Sequence, residues 1–473
     1  MLILQHYLIM GKKFGFLIFS ISLAISGIGQ LAYNTNLLGR WSNDSLPTLS
    51  SPSGQRFSEL WGYYDSIKAR EYIIMGGLDS TYFFDVTNPA KIKLCDVEAG
   101  KAKKCVNRDY QTYKNYAYAV NDQDAGTLQV FDLKYLPDSV HKVYDNDTLG
   151  KTTHTICVYK DMLFMCSNTN STKRHSMRIA SLALPDSPVN ITTFDAPIVG
   201  GKPLFENIHD MIIVDDTAYL SCGNDGLFIF DFRNPLAPKY IYNLSVYQEK
   251  GYNHNSWLTA DKKHIVFTDE NLGLGIKLFE IESPVSYKHR STFRSHNGAI
   301  AHNPFIVGNT KAYFSYYQDG VYLFDITNAY DPKVIAYYDT YPENTAYTGF
   351  QGCWGVYPFL PSGNIFASDM THGLFALRMG VTGINSITLK KEKLELSPNP
   401  ATENIRIQLF SPEAEIASMD ITDSKGKKIW SGNIELQFGK NAIPFDINQF
   451  SSGIYFIQLS SAHATYTAKL VKQ

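Results

Sequence analysis

The sequence predicts an all-β protein: a seven-bladed β-propeller followed by a small β-sandwich. Three observations carry that prediction. A unit of two apolar strands joined by a tight turn recurs seven times, and internal repetition outranks other sequence signals. The unit recurs about every 48 residues, room for about four short strands, which is the size of a propeller blade. The last 80 residues then abandon the repeat for strands with polar turns.

The clearest unit is Thr217–Pro238, TAYLSCGNDGLFIFDFRNPLAP. Gly226 supplies the positive φ of a tight hairpin, and Pro235 stops the second strand. Close copies begin at Glu71, Tyr116 and Lys311. Looser ones begin at Lys263 and Asn364, and a weak one at Met162, where STKRHSM replaces the Asp-Gly turn. Asp85, Asp132, Asp231 and Asp325 each follow a phenylalanine at a strand end. A carboxylate there accepts backbone N–H bonds and starts a turn, so these four are read as structural.

Each unit has a head before its hairpin: Trp61-Gly62, Arg108-Asp109, His154-Thr155, His209-Asp210, His254-Asn255, His302-Asn303 and Trp354-Gly355. The heads are 47, 46, 55, 45, 48 and 52 residues apart. The first and last match, LWGYYD against CWGVYP. Matching ends suit a closed ring, which hides its sheet edges, better than an open stack, which needs polar caps.

The flanks divide the chain further. Lys12 and Lys13 precede an apolar run, Phe14–Ile25, and then small residues. That order predicts a secretory signal peptide over 1–30, cleaved between Ser26 and Leu31, with no transmembrane span in the mature protein. Met10 makes the more ordinary start. Residues 31–59 read as a loose linker or N-terminal strap, 60–379 as the propeller, 380–393 as a linker, and 394–473 as the terminal sandwich. A net charge of −2 argues against nucleic acid as a partner. Six cysteines fit an oxidising compartment. Cys157/Cys166 and Cys95/Cys105 are the cheapest local bridges, and six free buried thiols, with Cys222 and Cys353, are the alternative. No Cys/His spacing suggests structural zinc.

Two resemblances rest on longer strings. HDMIIVDDTAYLSCGNDGLFIFD, AHNPFIVGNTKAYFSYYQDGVYLFDITN and GCWGVYPFLPSGNIFASDMTHGLF are similar to LVIVD repeats. Residues 57–379 thereby resemble the choice-of-anchor B family of bacterial surface and secreted proteins. The resemblance implies a propeller cargo domain with a variable anchoring tail, and no activity. The tail, with Pro398-Asn399-Pro400, Ser452-Gly453-Ile454-Tyr455 and Lys469-Leu470-Val471, resembles the C-terminal sorting domain of the type IX secretion system. That implies a Bacteroidetes-like source, passage through the periplasm, recognition by the type IX machinery, and a secreted or surface-attached product.

The candidate site follows from the heads. His154, His209, His254 and His302 hold equivalent places at the start of a blade's first strand, which lines a propeller's channel. Asp109, Asp210, Asn255 and Asn303 sit at or beside the same ring position, and Arg108 is placed there as an anion partner. Neutral imidazoles with a carboxylate suit Zn, Fe, Cu or Ni. The expectation is therefore a polar channel mouth that binds a divalent metal or a small polar ligand. Such a propeller presents its loops to a glycan, peptide or surface protein. A metal-dependent extracellular hydrolase or lyase is the alternative. Gly-x-Ser-x-Gly, His-Glu-x-x-His and a phosphate-cradling loop are absent from the sequence, which leaves catalytic residues unassigned.

Overall fold

A computed structural model of the chain describes residues 32–473, apart from 51–53, 124–125, 171–172, 344–346, 348, 381–389, 412–414, 425–426, 438 and 461–463. The signal-peptide reading lies outside the described residues, as does most of the 380–393 linker. The chain divides into two compact units, Met1–Gly380 and Val381–Gln473.

In the first unit, seven antiparallel sheets follow one another along the chain, over 57–99, 108–146, 156–194, 210–244, 253–293, 304–338 and 353–379. These are blades 1 to 7. Within these ranges each runs from its innermost strand outward in chain order, the cheapest topology for consecutive hairpins. The innermost strands of blades 1 to 6 touch in sequence. That of blade 7, Cys353–Tyr357, touches Lys311–Tyr316 of blade 6 on one side and the innermost strand of blade 1, Phe57–Asp65, on the other. The ring is closed.

Of the two readings of residues 31–59, linker or strap, the pairing of 32–41 fits the strap. Thr35–Trp41 is the outermost strand of blade 7, antiparallel to Gly373–Met379 with Thr35 opposite Met379 and Trp41 opposite Leu374. Ala32–Tyr33 adds a short fifth strand to blade 6. The strand was illegible for a physical reason. An outermost strand is half solvated, so its alternation is weak, and a bulge between Leu37 and Gly39 breaks what alternation there is. Trp41 anchors it, with ring centroids 4.7 Å from Phe84, 5.9 Å from Phe57 and 5.9 Å from Tyr82 of blade 1.

The turn glycines show the same substitution. Gly226 has φ 104°, and a Cβ there would strike the carbonyl of Leu244 on its blade's outer strand. Gly373 of blade 7 has φ 88°, and the carbonyl in its way belongs to Trp41. The N-terminal strand thus stands where other blades have their own fourth strand.

The four turn aspartates do what their positions imply. Asp85, Asp132, Asp231 and Asp325 each accept the backbone N–H two residues on, at 2.8–3.0 Å. All six cysteines are free thiols, five of them buried. Cys157 lies opposite Phe164 rather than Cys166, so the hairpin register separates the two sulfurs that looked adjacent in sequence.

The second unit packs a five-stranded sheet on a three-stranded one. Its core joins Ile405 and Ile407 from one sheet to Met419, Ile421, Ile457 and Leu459 from the other, which is the sandwich arrangement.

Candidate metal and ligand site at the propeller mouth

The innermost strands enter the ring with their heads side by side. The heads form two polar layers around a cavity of about 110 Å³. His154, His209, His254 and His302, from blades 3 to 6, make an arc. Successive ring centroids are 4.1, 4.2 and 4.3 Å apart. One residue further along, Glu59, Asp109, Thr155, Asp210, Asn255 and Asn303 line the second layer.

Hydrogen bonds orient the rings and fix the proton on His302. Nδ1 of His302 lies 2.6 Å from the Trp354 carbonyl oxygen, which accepts, so this nitrogen holds the hydrogen and Nε2 keeps its lone pair. Nδ1 of His154 lies 2.8 Å from Oδ2 of Asp122, which also accepts. Nε2 of His154 lies 2.7 Å from Nε2 of His209, and Nδ1 of His209 is buried without a well-directed hydrogen-bond partner. Nδ1 of His254 is likewise buried and unpartnered. A buried polar atom left this way is costly unless something else satisfies it.

Glu270, just beyond the second strand of blade 5, reaches the arc. Its carboxylate lies 3.7 Å from Nε2 of His254 and 3.9 Å from Nε2 of His302. These separations exceed a hydrogen bond. They match two donors around one ion, since zinc bonds of about 2.0–2.2 Å place neighbouring ligands about 3–4 Å apart. His209, His254 and Glu270 each offer a ligand atom, and all three atoms lie within 4.8 Å of one another. Tyr317 donates to Oε1 of Glu270 at 2.6 Å, the outer-shell support that orients a ligating carboxylate. The backbone N–H of Glu270 is held by the Tyr252 carbonyl at 2.8 Å.

Burial sets the charge states. It holds the imidazoles of His209 and His254 well below their usual value, helped by the neighbouring histidines, and brings His302 down to about 3. These rings are neutral, the form that binds a metal. Burial raises Glu270. In the second layer it pushes Asp109 up to about 7 and raises Glu59 and Asp210 well above the carboxylate range, with Asp109 adding to both. This layer is self-satisfied in part. Asp109 accepts from the Ile156 N–H at 2.6 Å, Asn255 donates to Asn303 at 3.2 Å, and Asn303 donates to Glu59 at 2.5 Å.

The structure brings together eight of the nine predicted site residues and moves one. Arg108 is not at the channel. Strand alternation turns Asn107 and Asp109 inward and Arg108 between blades, where it is 1% exposed. There it donates to the carbonyls of Gly77 at 2.8 Å, Leu78 at 3.3 Å and Ala102 at 2.8 Å. It clamps a loop and does not line the central cavity. In blade 1 the ring position belongs to Glu59, not to Trp61-Gly62. Gly355 of blade 7 makes room for it, because a Cβ there would meet the Glu59 carboxylate. Trp61 packs edge-on at 5.1 Å from Tyr357.

Glu59, Glu270, Tyr317 and Asp122 escaped the sequence reading. Glu270 and Tyr317 follow the second strands of adjacent units, 47 residues apart, so comparing second-strand ends as well as heads would have found them.

Residues 395–473 match the family model described as the secretion system C-terminal sorting domain. The tail is a type IX sorting domain, and it directs the protein to the cell surface or the extracellular space. Among the described residues no helix is long and apolar enough to cross a membrane. Among curated proteins none matches the chain in sequence. Solved structures similar to it include a putative 6-phosphogluconolactonase from Bacteroides uniformis, at 12% identity over 82% of this chain and 100% of that one, with TM-score 0.48. A periplasmic gluconolactonase of Pseudomonas aeruginosa shares 9% identity over 82% and 98%, TM-score 0.48. The WD40 β-propeller domain of Doa1 shares 10% over 73% and 97%, TM-score 0.49.

Proposed function

We propose that this exported propeller is a binding and scaffold module whose channel mouth holds a divalent transition metal. His209, His254 and Glu270 are the ligands, and His302 is poised as a fourth. The observation that carries this is the meeting of two neutral, buried imidazoles and one carboxylate within 4.8 Å. Mixed nitrogen and oxygen donors suit Zn, Fe, Cu or Ni over Ca or Mg. The repeat strings further support an LVIVD-type propeller of the choice-of-anchor B kind, carried by a signal peptide in a Bacteroidetes-like bacterium. Its loops would then meet a glycan, peptide or surface protein.

Elemental analysis of the purified full chain tests the metal. Wild type is expected to carry near-stoichiometric metal, and His209→Ala with His254→Ala to carry none. Glu270→Gln is expected to weaken binding at least about tenfold, as loss of even outer-shell support does. No metal in any of the three, after incubation with each of the four ions, sinks the proposal.

A second reading is favoured by one feature. Three protein donors with an open position are the format of catalytic rather than structural zinc. On this reading the mouth is a metal-dependent hydrolase or lyase, and polymer turnover abolished by a chelator distinguishes it from a binding module.

A further inference from the structure

We propose that a cavity beside the histidine arc is a subsite for a hydroxylated carboxylate, the chemistry of a uronic acid unit, with Arg174 as its anion partner. The cavity holds about 320 Å³ and is lined by Asp122, His154, Arg174, Asn207, His209 and Tyr252, together with three hydroxyl side chains. That volume suits one sugar-sized ligand.

Arg174 reaches it because blade 3 departs from the repeat. Where blades 4 and 6 turn at Asp225-Gly226 and Asp319-Gly320, this unit has STKRHSM in the sequence. Its middle strands, Met162–Thr169 and Arg174–Ser181, are eight residues each, against five in blade 4. The extension places Arg174 opposite Thr169, at the cavity wall. Its neighbours are spoken for: Lys173 pairs with Asp195 at 2.8 Å and His175 with the same carboxylate at 3.1 Å. Among the described residues no carboxylate pairs with Arg174. Asp122, the cavity's acid, is bound to His154.

Arg174 is exposed at the cavity wall with no carboxylate partner among the described residues, and its guanidinium is there a fork for a carboxylate. The rest of the lining recognises hydroxyls. Burial keeps the Tyr252 phenol protonated, with its pKa raised. The phenol, the Asn207 amide and the threonine hydroxyls of Thr152 and Thr169 supply neutral donors and acceptors. The cavity shares His154 and His209 with the central one, so the ligand sits next to the proposed metal. Its recognition stands on Arg174 without that ion.

The test titrates the full chain calorimetrically with D-glucuronate, D-glucose and acetate, before and after chelator treatment. Glucuronate is expected to saturate wild type in both states, with glucose and acetate at least about tenfold weaker because each lacks one half of the recognised chemistry. Arg174→Ala should lose at least about tenfold in glucuronate affinity, and Arg174→Lys should recover part of it, a point charge replacing a fork. Unsaturable glucuronate binding, equal binding by Arg174→Ala, or equal binding of glucose or acetate overturns the proposal. Glucuronate binding that survives chelation separates this subsite from the metal, and binding lost on chelation overturns the proposal; a wild type that carries no metal yet binds glucuronate retires only the metal reading.

Discussion

Lys277→Met is expected to be among the most damaging single changes in the propeller. Lys277 and Asp269 face each other on adjacent strands of blade 5, 2.6 Å apart and both fully buried. The pair acts as charge against charge, because Lys277 Nζ has no well-directed hydrogen-bond acceptor. Burial lowers the lysine's pKa, and Asp269 opposes that shift. Asp269 also accepts from the Tyr247 hydroxyl at 2.9 Å and the Gly251 N–H at 3.1 Å, and it immediately precedes Glu270. Removing the lysine leaves an uncompensated carboxylate in the blade, which costs about 3–5 kcal/mol. Asp269→Asn with Lys277→Met removes both charges and can keep an acceptor for Tyr247 and Gly251. The double variant is expected to regain about 1–3 kcal/mol over Lys277→Met alone, the range for coupled contacting residues. Guanidinium unfolding followed by tryptophan fluorescence reads both numbers. A single variant within about 1 kcal/mol of wild type, below the range for a broken buried pair, refutes the reasoning. So does a double variant no better than the worse single.

Four further outcomes follow from other parts of the molecule. Trp41→Ala, which strips the N-terminal strand of its half-buried anchor, should cost about 2–3 kcal/mol, discounted from a fully buried tryptophan. Deleting 32–41 should leave blade 7 with an open edge and drive self-association, seen by light scattering. Arg108→Ala should destabilise by about 2–3 kcal/mol, since the buried carbonyls of Gly77 and Ala102 lose this donor while that of Leu78 keeps the Cys105 N–H at 2.9 Å, and should leave metal content unchanged. A fall in metal content with normal stability would return Arg108 to the channel. Asp109 binds its proton more tightly folded, at about 7, than unfolded, at about 3.9. Its contribution is therefore full below about pH 4 and lost as pH rises through about 7, with Glu59 and Asp210 acting in the same direction. Stability should fall over that window, and Asp109→Asn, which can still accept from the Ile156 N–H, should flatten the slope. An identical pH profile for the variant would contradict it.

Much of this was local and therefore legible. The hairpins, their Asp-Gly turns and the turn aspartates repeat because each blade solves the same problem with neighbouring residues. Counting those units and seeing the tail change style needed no coordinates. The histidine heads stood out because equivalent positions in a repeat converge on one axis. What the sequence left open depended on residues far apart or on which way a strand faced. Thr35–Trp41 finds its partner more than 330 residues downstream, and no local period records that. Arg108 sits beside Asp109, yet a strand sends consecutive side chains to opposite faces, so one reaches the ring and the other the space between blades. Glu270 and Tyr317 join the histidines only when blades 5 and 6 are side by side. Repetition along the chain determined the fold of the parts, whereas the closing of the ring decided which side chains share the axis, because only a closed ring brings the ends of separate blades to one point.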